Sequence, residues 1–319
     1  MHDVLIVIVN YRTPDLVIDC LQSLEPEVAA HAGVRVVVID NDSQDNSRER
    51  LEAFLGQKRW PWVTFRPLPD NAGFAAGNNA ALAELLEAGS LPEFTLLLNP
   101  DTYIRAGAVD ALRRFMMDHP DVGIAGSRLE DPDGTAQRSA FRFHTLASEW
   151  VASCRLGLFA KLFAGSVVAP PVPETACPTG WVAGASMIIR REVLEQVGLL
   201  DDRYFMYFEE VDLCLRAHRA GWPCWYVPES RVVHLVGQAS GVTAKDRPAK
   251  RRPAYWFASR RRYFQKNHGR AYLFAANVLW LAGFASWRVR RMLQRKPDTD
   301  PPQMLWDFFR YNFLGRLPA

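Results

Sequence analysis

VLIVIVNYRTPDLVIDCLQSLEPEVAAHAGVRVVVIDNDS, residues 4–43, decides the fold. Its two apolar, β-branched runs, Val4–Val9 and Val34–Ile39, have the length of strands buried on both faces. Between them Asp15–Leu24 reads as an amphipathic helix. The rhythm continues outward, with strand-like runs at Val63–Arg66, Phe94–Leu98 and Val122–Ala125 and helical segments at Asp45–Leu55, Ala75–Glu87 and Ala106–Asp118. Alternating β and α elements with short connections predict an α/β fold around a mostly parallel sheet with right-handed crossovers. From Arg128 to Pro178 the pattern weakens into turns and a proline-rich loop, where mobility is expected. Order resumes with a strand over Trp181–Ile189, helices over Arg191–Val197 and Glu209–Ala220, and a strand over Trp222–Val227.

The chain has 319 residues, 49% of them hydrophobic, enough for a sizeable core. Disorder, collagen and a disulfide-stapled miniature are excluded. The net charge of +3 conceals an asymmetry. Residues 1–244 carry 21 Lys+Arg and 31 Asp+Glu, whereas residues 245–296 carry 15 and 1. This divides the chain into a domain over 1–244 and a basic, aromatic, helical region over 245–319. Five cysteines without C-x-x-C spacing suggest neither a disulfide framework nor a structural zinc site, and read as reduced thiols. The N-terminus lacks the features of a signal peptide, so a cytoplasmic location is expected.

In an open parallel sheet, ligands bind beyond the carboxyl ends of the strands. Four successive strand ends carry polar clusters there: Asn10-Tyr11-Arg12-Thr13, Asp40-Asn41-Asp42-Ser43, Asp70-Asn71-Ala72-Gly73-Phe74 and Asn99-Pro100-Asp101. Any one would serve as a turn; together they suit a nucleotide and a metal. The G-x-G-x-x-G and P-loop fingerprints are absent, which weighs against a dehydrogenase or a kinase. Asp40 can accept hydrogen bonds from a base or ribose. Asn71 can bond base or ribose, Asn78 and Asn79 face the same end, Gly73 and Gly77 permit close backbone approach, and Asp101 offers a hard oxygen to Mg²⁺ or Mn²⁺. Glu209-Glu210-Val211-Asp212 opens a helix, where acids are favoured by its dipole. The aromatic run Tyr204–Phe208 before it would make a partly dry pocket able to raise a carboxyl pKa toward general-base use. Glu210 is the first choice of base and Glu209 the second.

The motifs VIVNY (7–11), VVVIDNDSQD (36–45), DNAGFAAGNNAAL (70–82), LLLNPDT (96–102), the stretch from Gly180 to Trp222 and VVHLVGQAS (232–240) together resemble the family 2 glycosyltransferases of GT-A fold, in particular their bacterial rhamnosyltransferase-like branch. The resemblance implies base binding at Asp40, with Asn10, Tyr11, Asn41, Asn71, Gly73, Asn78 and Asn99 around the nucleotide. It implies a D-x-D-type metal position at Asn99-Pro100-Asp101, where Asn99 replaces the first Asp, and a catalytic acidic motif at Glu209-Glu210. It also implies Trp181, Gly184 and Asp212 beside the sugars and a further metal or diphosphate contact at His234. The expected reaction is inverting transfer of a sugar, L-rhamnose among the candidates, from a nucleoside diphosphate donor to a hydroxyl of a lipid-linked or cell-surface glycan. A nucleotidyltransferase and a non-catalytic sugar-nucleotide-binding membrane protein are the alternatives.

The basic tract calls for an anionic partner. No nucleic-acid-binding signature accompanies it, so no nucleic acid is expected. Ala271–Trp287, seventeen uncharged residues with Tyr272, Phe274, Trp280, Phe284 and Trp287 between Arg270 and Arg288, reads as a helix lying in a membrane interface. Packing of that helix on the domain is the alternative. A peripheral position at the inner face of the cytoplasmic membrane follows, and the aromatics of Trp306–Tyr311 suit either an interface or a membrane contact.

Overall fold

The computed structural model describes residues 3–235 and 249–315, without the side chains of 158–160. In chain order it runs β1 (Val4–Asn10), α1 (Pro14–Ala30), β2 (Val34–Asp40), α2 (Ser47–Lys58), β3 (Val63–Pro67), α3 (Phe74–Glu87), β4 (Phe94–Leu98), β5 (Thr102–Ile104), α4 (Ala108–Asp118), β6 (Ile124–Glu130) and β7 (Ala140–Phe141). There follow α5 (Leu146–Cys154), α6 (Gly157–Leu162), β8 (Cys177–Thr179), β9 (Trp181–Val182), β10 (Ser186–Arg190), α7 (Arg191–Val197), α8 (Glu209–Arg219), β11 (Cys224–His234), α9 (Ala254–His268), α10 (Arg270–Leu293) and α11 (Met304–Phe313).

The central sheet has the order β3-β2-β1-β4-β10-β6-β11-β5, with β8 also paired to β11. Strands β3, β2, β1 and β4 are mutually parallel, as are β6 and β11. Strand β10 runs antiparallel to both β4 and β6 and joins the two parallel halves. Every residue of β1 is buried because each face is covered. Ile6 and Ile8 join Val17, Leu21, Leu24 and Leu112 on one side, and Leu5 and Val7 join Leu82, Leu194 and Leu213 on the other. At about 1.5–3 kcal/mol for each fully buried aliphatic side chain, these two layers hold the sheet between its helices.

The sequence-based elements recur with shifted bounds, some short additions such as β5 and β8, and four larger differences. Helix α1 continues past Leu24 and Pro26 to Ala30, because buried Glu27 accepts hydrogen bonds from Gly107 N at 2.5 Å and Val109 N at 3.1 Å at the start of α4. The expected strand over Trp181–Ile189 is broken at Ala183–Ala185 into β9 and β10. The strand expected over Trp222–Val227 is the first part of β11, which continues to His234 across an irregularity between Val227 and Arg231. The segment expected to be loose contains α5, whose N-terminus is fixed by a reciprocal Thr145–Ser148 capping box.

Part of the basic tract is neutralised within the chain. Arg260 is buried and pairs with Glu149 at 2.5 Å, Lys266 bonds Asp212 at 2.7 Å and Asp201 at 2.9 Å, and Arg251 pairs with Asp307 at 2.6 Å. Aromatics complete the attachment, since Tyr263 and Phe264 of α9 are buried with Tyr204, Phe208 and Leu215. Helix α10 packs on α5 with Trp280 and Phe284 turned inward. No helix among the described residues is long and apolar enough to cross a membrane. The boundary at 244/245 and residues 236–240 of the last motif lie outside the described residues.

Candidate active site

The parallel register between β1 and β2 sets Asn10 opposite Asp40. Asn10 Nδ2 donates to Asp40 Oδ1 at 2.6 Å, and Ser43 Oγ donates to the same oxygen at 2.6 Å. Arg12 N in turn donates to Ser43 Oγ at 3.0 Å, so the ends of the two strands form one buried polar knot. The knot fixes the Asp40 carboxylate and leaves Tyr11 more exposed beside it.

The next strand end is drawn into the same edge. Asn41 Nδ2 donates to Asn71 Oδ1 at 2.9 Å and to Gly73 O at 3.1 Å. Gly73 has φ +98°, and a Cβ there would stand 2.2 Å from the Phe205 carbonyl oxygen, so only glycine fits. Phe74 N, the first of α3, donates to that carbonyl at 2.7 Å. The aromatic segment 204–208 is thereby tied to the ends of β1 and β2. Tyr207 and Phe208 both hold positive φ, near 70°, a costly conformation for bulky residues. This double turn launches α8 with Glu209 and Glu210 at its first two positions.

A cavity of about 550 Å³ brings the acids together with the metal candidates. Asn99, Asp101, Gly184, Glu209, Glu210 and His234 line it, with Tyr11 and Asn71 toward the ends of β1 and β2. His234 Nε2 lies 3.5 Å from Asp101 Oδ1. Glu209 Oε2 and Glu210 Oε2 are buried without a hydrogen-bond partner among the described residues. Burial pushes both carboxyls above their ordinary range; the charge of Glu210 raises Glu209 further, while N–H groups of the helix's first turn pull Glu210 back. Two adjacent carboxyls raised in this way titrate as a pair, and their burial favours the state in which at least one of them holds a proton.

Other expected site residues are placed elsewhere. Asp212 faces away from the cavity, bonded by Tyr204 Oη at 3.2 Å, Arg216 Nε at 2.9 Å, Lys266 Nζ at 2.7 Å and Asn267 Nδ2 at 2.8 Å. Burial opposes its ionisation, but these hydrogen bonds prevail and hold its carboxyl below the ordinary range. Asn78 donates to the Phe74 carbonyl of its own helix at 2.8 Å, and Asn79 to Leu200 O at 2.8 Å. Trp181 does not reach the cavity wall; it stacks on Phe141 at 4.1 Å, with its indole N–H on Arg142 O. Gly184, by contrast, lines the cavity from the break between β9 and β10, and a Cβ there would stand 3.7 Å from Glu210 and 3.8 Å from Phe74. Arg252 and Tyr255, just before and inside α9, also line the cavity. Nothing in the local pattern singled them out, because the tract around them is basic and aromatic throughout.

Asp101 offers a carboxylate oxygen, a donor that suits Mg²⁺ or Mn²⁺, and His234 an imidazole nitrogen, a softer donor that suits Mn²⁺ better than Mg²⁺. No group of three or more His, Cys, Asp or Glu side chains is assembled for a metal among the described residues. The two fit an ion whose other ligands come from a bound diphosphate.

Comparison with known proteins gives the class first. The fold aligns with the mannosyltransferase PcManGT from Pyrobaculum calidifontis, in complex with GDP-Man and Mn²⁺, at a TM-score of 0.57 and 15% identity, over 98% of this chain and 80% of that one. The architecture is thus that of the GT-A glycosyltransferases. A family model described as Glycosyltransferase like family 2 matches residues 2–264, and the chain belongs to that family. It is 32% identical over 259 residues to the N-acetylglucosaminyl-diphospho-decaprenol L-rhamnosyltransferase of Mycobacterium tuberculosis (strain ATCC 25618 / H37Rv), covering 76% of this chain and 79% of that protein. It is 29% identical over 170 residues to rhamnosyltransferase WbbL of Escherichia coli (strain K12), covering 51% and 61%. Sugar transfer from a nucleotide sugar is the reaction class these matches support, rather than nucleotidyl transfer.

Proposed function

We propose that this protein transfers L-rhamnose, with inversion, from a nucleoside diphosphate sugar to a hydroxyl of a lipid-linked glycan at the inner face of the cytoplasmic membrane. The observation that carries the reading is the paired Glu209 and Glu210 on the wall of the cavity that Asp101 and His234 also line. The sugar and the lipid-linked acceptor are suggested by the mycobacterial relative, whose name specifies both.

In this reading Asn10, Tyr11, Asp40, Asn41, Asn71 and Gly73 form the nucleoside edge, and Asn99 lies between it and the diphosphate. Asp101 and His234 would hold Mg²⁺ or Mn²⁺. When bound, that ion supplies positive charge against the oxygens of the departing diphosphate. Gly184 leaves room for the sugar beside Glu210. Glu210 takes the proton of the acceptor hydroxyl as its oxygen bonds the anomeric carbon and the diphosphate leaves with the electron pair of the broken bond. Glu209, kept protonated by burial and by its neighbour, can donate a hydrogen bond to the acceptor. Phe205 and Tyr207 keep water from the carboxyls.

The test incubates purified protein with dTDP-, UDP- and GDP-sugars, Mg²⁺ or Mn²⁺ and a membrane lipid extract, scoring nucleoside diphosphate release with an EDTA control. Metal-dependent release from dTDP-rhamnose, lost in Asp101→Ala, is expected. Full turnover in EDTA would remove the metal, release from another donor would remove rhamnose, and pyrophosphate as the product would remove glycosyl transfer altogether.

A further inference from the structure

Helix α10 presents two unlike sides. Leu273, Ala276, Trp280 and Phe284 are buried against the rest of the protein. Phe274, Val278, Val289, Met292 and Leu293 face outward, with Phe274 61% and Leu293 73% exposed. Positions 274, 278, 282, 285, 289 and 292 recur at steps of three and four and so form one line along the helix. Helix α11 widens this line into a surface. Trp306 is 56% exposed, Phe309 stacks on Phe313 at 5.6 Å, and Phe313 meets Phe274 at 6.2 Å. An apolar groove of about 590 Å³ runs between the helices, with Leu281 and Ala285 on one bank and Leu305, Trp306 and Phe309 on the other. A contiguous apolar surface of this kind marks a docking face.

Charge says what docks there. Helix α10 contains no Asp or Glu, the one acid of α11, Asp307, is buried and paired with Arg251, and Asp298 and Asp300 on the groove wall are paired with Arg288. Cations stand at the ends of the apolar line: exposed Arg270 one turn before Phe274, and exposed Arg295 and Lys296 just past Leu293. Arg270 and Arg295 have no carboxylate partner among the described residues, unlike Arg251, Arg260, Arg262 and Lys266 in the same tract. Apolar residues between unpaired cations match acyl chains beneath anionic headgroups. A second copy of the chain would bring the same cationic ends together. The aromatics that an end-on reading of the sequence would assign to lipid, Trp280 and Phe284, are the ones turned inward.

We propose that the outer face of α10 and α11 seats on an anionic lipid bilayer, with α10 lying in the plane of the interface. This docking rests on the membrane position in the proposed function, and the vesicle readout below is independent of sugar transfer, so either can fail alone.

The experiment is co-sedimentation of the full chain with phosphatidylcholine vesicles, with and without phosphatidylglycerol. Binding to the anionic vesicles, weakened by added salt, is expected. The pair Phe274→Asp and Trp306→Asp should lower partitioning at least about tenfold, with circular dichroism and melting temperature unchanged. The pair Arg270→Glu and Arg295→Glu should lower it by a similar factor on anionic vesicles alone. No pelleting above the vesicle-free control, equal binding by all variants, or a dimer in light scattering that the Phe274 and Trp306 changes dissolve would each overturn the proposal.

Discussion

Gly73 shows how one residue can hold two sides of a site together. Any side chain there collides with the Phe205 carbonyl and is strained at φ +98°, so Gly73→Ala should separate α3 from the segment that carries the acids. The expected outcome is a loss of about 2 kcal/mol or more in chemical denaturation, with activity falling further than stability. The acids themselves make a sharper case. Glu210→Gln should lower kcat by about 10²–10⁴-fold, whereas Glu209→Gln, which mimics the protonated state, should stay within about tenfold of wild type. Because both carboxyls are raised, the rate of the wild-type protein should climb with pH through a midpoint above the ordinary carboxylate range, and a pH–rate profile checks it. At this scale the sequence displayed the polar strand ends Asn10, Asp40 and Asp101, because strand-end chemistry is local. It did not display Arg252 and Tyr255, which reach the cavity only through the packing of α9.

Helices α8 and α9 are fastened by charge as well as by aromatic packing. Asp212 and Asp201 accept from Lys266, and Glu149 accepts from Arg260. Burial raises each carboxyl, but the cationic partners overcome it and the net shift is downward. A depressed acid stabilises the fold above its unfolded value, and that contribution is lost as pH falls through the folded one. Melting temperature should therefore hold near neutrality and drop as pH descends below about 4, where unfolded carboxyls take up protons. Asp212→Asn should melt lower at neutral pH and show a shallower acid slope, measured by thermal scans across that range. The central strands and most helices were readable from periodicity. Helix α5 was not: its capping box uses Ser148 in place of an acid, and its burial is completed by α10, more than a hundred residues on. Glu27 likewise discloses its capping of α4 only once the two helices meet.

On the scale of the whole molecule, the charge asymmetry of the sequence proves to be in part an internal complementarity, with Arg260, Arg262 and Lys266 of α9 binding Glu149, Asp201 and Asp212 of the preceding domain. A chain ending at residue 250 would leave Tyr204, Phe208 and Leu215 without Tyr263 and Phe264 over them. It should be recovered mainly in the insoluble fraction, and Phe264→Ala in the full chain should cost about 3–5 kcal/mol in denaturant titration. Composition located the tract, but only the packing could say which of its charges are consumed. The antiparallel strand β10 has one more consequence. It makes the sheet a joint between two parallel modules, and the chain visits them largely in turn, with Asn10, Asp40, Asn71 and Asp101 in the first stretch and Gly184, Glu210 and Arg252 in the second. Recombination between relatives within residues 131–139, ahead of β7, would leave the polar strand ends from one parent and bring the acidic wall from the other, a layout in which donor and acceptor preference can diverge by separate lineages of change.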